Sequence, residues 1–76
     1  MKDFITYLIK NLVDQPENVD INVFEGDRTT IVEVKVDGDD VAKVVGRQGR
    51  TINALRTVAM TVGARCGRRV KVELIN

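Results

Sequence analysis

Two glycines three residues apart divide what would otherwise be one helical stretch, and that break constrains the fold of this chain more than any other feature. Residues 44–52 read Val-Val-Gly-Arg-Gln-Gly-Arg-Thr-Ile, an apolar pair, two glycines flanking polar non-acidic residues, and then a fresh helical pattern. Glycine carries no Cβ, so the backbone can turn sharply at Gly46 and Gly49 and approach a bulky partner closely. The turn feeds the first turn of a helix, where unpaired N–H groups and the positive end of the macrodipole favour an anion. Arg47 and Arg50 bring mobile positive charge to the same place.

The periodicities on either side set the element order. Phe4, Ile5, Leu8, Ile9, Leu12 and Val13 recur at helical spacing, which predicts a first helix over roughly residues 2–14, stopping before Pro16. Val19, Ile21 and Val23 then alternate with Asp20, Asn22 and Phe24. After the Gly26-Asp27 turn, Val32, Val34 and Val36 alternate with Ile31, Glu33 and Lys35, so the two strands form an antiparallel hairpin. Asp37-Gly38-Asp39-Asp40 reads as a cap with first-turn carboxylates for a short helix from about Asp40 to Val45. Its spacing does not fit a calcium loop. The longer helix starts near Arg50, with a buried stripe of Ile52, Leu55, Ala59, Val62 and Cys66, and Gly67 in a left-handed conformation beyond its end. Val70, Val72 and Leu74 alternate with Lys71, Glu73 and Ile75 in a last strand.

The predicted fold class is therefore α+β in the order α-β-β-α-α-β. A strand that crosses over two helices to a third strand should run parallel to it, which gives a mixed three-stranded sheet with three helices on one face. On the open face, Glu33 and Lys35 are expected to meet Lys71 and Glu73 as opposite charges. Seventy-six residues allow one domain, residues 1–76, around one modest core.

Charge is polarised along the chain. Residues 1–40 carry four basic and ten acidic groups, a net of −6, whereas residues 41–76 carry eight basic groups and only Glu73, a net of +7. A basic half built around a phosphate-sized loop is the electrostatic footprint of a nucleic-acid binder. Arg65, Arg68 and Arg69 either solvate a helix end or touch phosphate. With no histidine and no GxxxxGK[ST] loop, catalysis and nucleotide hydrolysis are not expected, and neither a catalytic residue, a metal nor a cofactor is assigned. The single cysteine, Cys66, fits a reducing cytoplasm and is expected to be a small buried apolar residue. The broken apolar pattern of the N-terminus is not that of a signal peptide or membrane span.

The Gly46-Arg47-Gln48-Gly49 loop between two short helices, inside the longer Val-Val-Gly-Arg-Gln-Gly-Arg-Thr-Ile signature, resembles the GXXG loop of a KH domain. The element order is that of the type II, bacterial arrangement, and the similarity spans the chain. The opening Met-Lys-Asp-Phe helix and the closing Gly-Arg-Arg-Val-Lys-Val-Glu-Leu look like the KhpA family of small bacterial RNA-binding proteins. Val45 stands where many KH domains have isoleucine, so the apolar floor under a base should be shallower.

The resemblance implies a non-enzymatic RNA chaperone that grips single-stranded RNA. It also implies a homodimer, or a heterodimer with a KhpB (Jag/EloR)-type protein, with links to cell-wall homeostasis and cell-length control. No membrane or small-molecule substrate is implied. Carried onto this sequence, the RNA-binding set is Lys43, Val45, Gly46, Arg47, Gln48, Gly49, Arg50, Ile52 and Asn53. In that set the glycines admit the backbone, Arg47 and Gln48 donate to phosphate, Lys43 and Arg50 flank it, and Val45 with part of Ile52 gives a base its apolar floor. Asn53 is expected to meet sugar or base. Ile52 and Val44 can equally be read as core, and Phe4 and Phe24 are expected in core or hairpin packing. An alternative function is a protein-interaction module, motivated by Ala54, Val58, Met60, Thr61 and Ala64, small or apolar residues lying off the main stripe of the long helix.

Overall fold

A computed structural model describes residues 1–75. It contains α1 (Lys2–Lys10), β1 (Asp20–Glu25), β2 (Thr29–Lys35), α2 (Val41–Val45), α3 (Arg50–Arg65) and β3 (Arg69–Leu74). Single 3₁₀ turns occupy Pro16–Asn18, Gly38–Asp40 and Arg47–Gly49. The sheet order is β1-β2-β3, with β1 antiparallel and β3 parallel to β2. The three helices cover one sheet face. Ile21, Val32, Val34, Val70 and Val72 point from that face into a core completed by Ile5 and Ile9 of α1, Val44 of α2, and Ile52, Leu55 and Ala59 of α3.

The first helix is shorter than its periodicity suggests. It ends at Lys10 because Asn11 caps it, its side-chain Nδ2 donating to Tyr7 O at 2.8 Å. Leu12 and Val13 leave the helix yet still pack against the core, so their apolar spacing reports burial and not helix. The acidic segment before α2 also departs from expectation. Asp37 supplies the expected cap, its Oδ1 accepting from Asp39 N at 2.9 Å, while Asp40 is not a solvated first-turn carboxylate. Asp40 turns inward and is 1% exposed. It accepts from the N–H groups of Asp14 (3.2 Å) and Gln15 (2.9 Å), tying the chain after α1 to the start of α2.

The buried stripe of α3 runs Ile52, Leu55, Ala59 and Gly63, while Val62 and Cys66 are exposed. Helix and strand approach so closely at Gly63 that a Cβ there would strike Val70 Cγ2 and stand 3.1 Å from Arg68 O. The stripe follows the space available and not the larger side chain, so Val62 and Cys66 rotate outward. Gly67 is left-handed as expected (φ +73°), and Arg68 N–H reaches back to Gly63 O at 2.9 Å. On the open face, the register sets Glu33 beside Glu73 and Ile31 beside Lys71, while Lys35 stands opposite Asp20. The expected exchange of opposite charges between β2 and β3 therefore does not occur; a parallel strand places residues by register, which charge pattern alone does not reveal.

Arg68 fastens the hairpin turn. Its Nε donates to the hydroxyl of buried Thr30 at 2.8 Å and its Nη2 to Gly26 O at 2.7 Å, with longer contacts to the Asp27 and Thr29 carbonyls. A guanidinium presents donors in a planar fork, which suits a ring of carbonyls that no lysine could serve. Neither helix-end solvation nor a phosphate contact describes this residue.

Candidate nucleic-acid interface

The loop that joins α2 to α3 takes its shape from three successive backbone demands. Gly46 adopts φ +76°, ψ 175°, a region open essentially to glycine alone. A Cβ here would also collide with the Thr51 hydroxyl and stand 2.9 Å from Thr51 N, so the fold itself requires this glycine. Gln48 is left-handed at φ 57°, ψ 26°, among the described residues the one non-glycine with positive φ. Gly49 is left-handed too (φ +75°, ψ 11°), but a Cβ there would meet only Asn53 Nδ2 at 3.6 Å. Gly46 faces inward against α3, whereas Gly49 has room for a Cβ in ordinary contact with Asn53.

The hydrogen bonds that form the turn use the N–H of Gly46 (to Ala42 O, 2.9 Å), Gly49 (to Gly46 O, 3.2 Å) and Arg50 (to Arg47 O). The N–H groups of Arg47 and Gln48 are not among them. Both side chains are exposed, as is Arg50, whose Nη2 lies 3.4 Å from Gln48 Oε1. No acidic side chain pairs with Arg47 or Arg50 among the described residues.

Lys43 is in a different position. Its Nζ stands 2.6 Å from Asp14 and 3.4 Å from Asp40, so its charge is already matched. The Asp14 contact, against a smaller opposing effect of burial, raises its pKa above the ordinary lysine value. Burial pushes the Asp40 carboxyl up, but the Asp14 and Gln15 N–H donors together with Lys43 outweigh it and leave the pKa below the ordinary carboxylate value. Lys43 thus takes part in the clasp between the α1 end and α2, with 44% of its side chain still exposed.

The remaining expected contacts divide in the same way. Val45 is half-buried beside the loop, whereas Ile52 is 6% exposed and lies in the core, so it supports the floor from beneath without forming its surface. Val44 is wholly buried. Asn53 is exposed one turn into α3, with its Oδ1 3.4 Å from Arg56 Nη1. Arg56 in turn donates through Nε to Val72 O on the edge strand at 3.2 Å. Sequence reading missed this arginine; its signal was the spacing of three that places it on the Asn53 face. Asn53 and Arg56 extend the polar rim from the loop to the edge of the sheet.

Ala54, Val58, Met60, Thr61 and Ala64 are all exposed on α3. They fall into two patches. Ala54 and Val58 face Leu8 and Leu12 across an apolar groove of about 330 Å³ between α1 and α3. Met60, Thr61 and Ala64 line a shallower depression with Thr57 and Arg65. Thr57 and Thr61 hydroxyls bond back to the carbonyls of Asn53 (3.0 Å) and Thr57 (2.8 Å), which turns both hydroxyls away from any partner. Among the described residues no acidic, cysteine or histidine cluster could hold a metal ion, and no helix is long and apolar enough to cross a membrane.

The family model for the KhpA/KhpB KH domain matches residues 2–74. A Chlamydia caviae protein named RNA-binding protein KhpA is 45% identical over 75 residues, covering 99% of this chain and 96% of its own. Proteins of the same name from Clostridium perfringens and Borreliella burgdorferi are 40% and 39% identical, covering 99% and 97% of this chain and 100% and 90% of their own. No solved structure matches. A GXXG turn between two helices, on a mixed sheet matched almost end to end by this family, leaves one conclusion: the chain belongs to the KhpA/KhpB KH-domain family.

Proposed function

We propose that this chain is an RNA-binding module, not an enzyme, and that it grips the backbone of single-stranded RNA through residues 46–50. The observation that carries the reading is the open loop. Arg47 and Gln48 stand out in solvent with N–H groups the turn does not use, and Gly49 leaves room for a phosphate where a side chain would stand. A GXXG loop of this kind clamps about four nucleotides. Arg47 and Arg50 supply salt-sensitive attraction, Val45 supplies apolar surface for a base, and Asn53 and Arg56 form the far rim. The relatives' shared name, RNA-binding protein KhpA, supports the ligand class.

The reading extends to an RNA chaperone acting in the cytoplasm, paired with itself or with a KhpB (Jag/EloR)-type protein and connected to cell-wall homeostasis and cell-length control. Pairing is favoured by the outer face of α3, where Val58 and Met60 are 41% and 58% exposed and the Thr57 and Thr61 hydroxyls are bonded to their own helix. Two weak modules held together gain affinity through effective concentration. Titration with short single-stranded RNA at two salt concentrations tests the loop. Arg47→Asp/Gln48→Asp should remain folded and lose binding; equal binding by that variant would remove the loop from the function.

A further inference from the structure

The end of the molecule opposite the loop carries a second group of basic side chains without ion pairs, beside the exposed Glu25 and Asp27 of the hairpin. Arg28 lies in the β1–β2 turn, Arg65 in the last turn of α3 and Arg69 at the start of β3. The fold brings Arg28 and Arg69 together: Arg69 N–H donates to Arg28 O at 2.7 Å, and Arg68 ties the end of α3, where Arg65 lies, to the same turn. Arg28, Arg68 and Arg69 line a depression of about 390 Å³ with Gly67 in its wall, and a Cβ on Gly67 would meet nothing within 4 Å. Arg68 is spent on carbonyls, but among the described residues Arg28, Arg65, Arg69 and Lys71 form no ion pair.

The adjoining sheet face supplies what the loop lacks, an exposed aromatic ring. Phe24 was expected in packing, yet it is 56% exposed. It stands on the open face because its strand neighbours Ile21 and Val23 turn to the core, and the register lays Phe24, Ile31 and Lys71 in one row across the three strands. The next row toward the turn pairs Thr29 with Arg69. The row on the other side holds Glu33 and Glu73, which repel phosphate and confine a bound strand to the hairpin end. A ring on which any base can lie, edged by cations, is the construction of a single-strand contact surface.

We propose that this pole, formed by Phe24, Arg28, Arg69 and Lys71, is a second contact for single-stranded RNA, reached by strands longer than the loop alone can hold. The proposal rests on the loop reading for its ligand. The sixteen residues of α3 separate the two sites, a span of about 24 Å at its rise per residue. Short strands should therefore feel the loop only.

The experiment compares two oligouridines, one of about four nucleotides and one long enough to add that span, by fluorescence anisotropy at two salt concentrations with the full chain. Arg28→Gln/Arg69→Gln should bind the short strand as wild type does. Losing two phosphate contacts on a single strand should lower the salt slope for the long one by about 1.4 and its affinity by roughly 25-fold near 0.1 M salt. Phe24→Ala should weaken only the long strand, by about tenfold, with the slope unchanged, since stacking releases no counterions. Circular dichroism checks that each variant is folded. The second contact is overturned if wild type gains nothing from length, if the arginine variant keeps wild-type affinity and slope for the long strand, or if it loses equally at both lengths. Arg47→Asp/Gln48→Asp separates the two claims, because a loop without function leaves short-strand binding intact whatever happens at the pole.

Discussion

The two loop glycines look interchangeable in sequence and are not so in space. Gly46→Ala places a methyl on Thr51, 2.7 Å from its Cβ and 2.9 Å from its N, in a backbone region that L residues do not occupy. Strain of this kind costs about 1–3 kcal/mol, and overpacking adds a further 1–3 kcal/mol or so. A domain of 76 residues has total stability of roughly 4–11 kcal/mol, so the variant loses a large share of it. Gly49→Ala has room for its Cβ and bears only the left-handed penalty, about 1–2 kcal/mol. At about 4–8 °C per kcal/mol, thermal unfolding followed by circular dichroism should place the Gly49→Ala midpoint roughly 5–15 °C below wild type. Gly46→Ala should fall well below that or fail to fold. RNA titration should then find Gly49→Ala folded but weakened in binding. Equal midpoints for the two variants would refute the argument, because both the Thr51 contact and the glycine-only backbone region set Gly46 apart from Gly49.

Three further outcomes follow from the same geometry. Lys43→Gln should leave the salt slope of RNA binding unchanged, since that charge is matched by Asp14, whereas Arg47→Gln should lower the slope by about 0.7; a slope change at Lys43 would return it to the interface. Arg68→Ala strips the hairpin turn of its donors and should cost about 2–3 kcal/mol, read as a loss in urea midpoint with short-strand affinity preserved. Asp40 has a folded pKa below its unfolded value of 3.8, so its contribution to stability is fully present above that pH and disappears as pH falls through the lowered value. Asp40→Asn should thus flatten the acid limb of a stability–pH curve. Lys43, raised above 10.5, contributes below that pH and ceases to as pH rises through its higher folded value.

The element order, the mixed sheet and the loop were legible in the sequence because each leaves a local periodic or glycine signature. What stayed hidden was set by contacts between distant segments. Asp40 reads as a first-turn carboxylate in the chain and is a buried acceptor for Asp14 and Gln15 in the fold, because the path of residues 11–15 brings two N–H groups to it. Gly63 displaces Val62 from the helix stripe because Val70 occupies the space beneath. Within the candidate site, the positive φ of the two glycines and the exposure of Arg47, Gln48 and Arg50 follow from the loop's local pattern. The Asp14 partner of Lys43 and the Val72 carbonyl that holds Arg56 come from distant segments and leave no local mark in the sequence. Phe24 escaped because strand alternation does not say which face lacks helices.

Amide chemical shifts measured by NMR during titration with a short single-stranded RNA address the loop most directly. If main-chain donors hold the strand, the largest changes fall on the N–H groups of Arg47 and Gln48, with smaller ones at Gly49, Arg50 and Asn53. Saturating RNA that shifts other residues while those two amides stay in place would contradict the account.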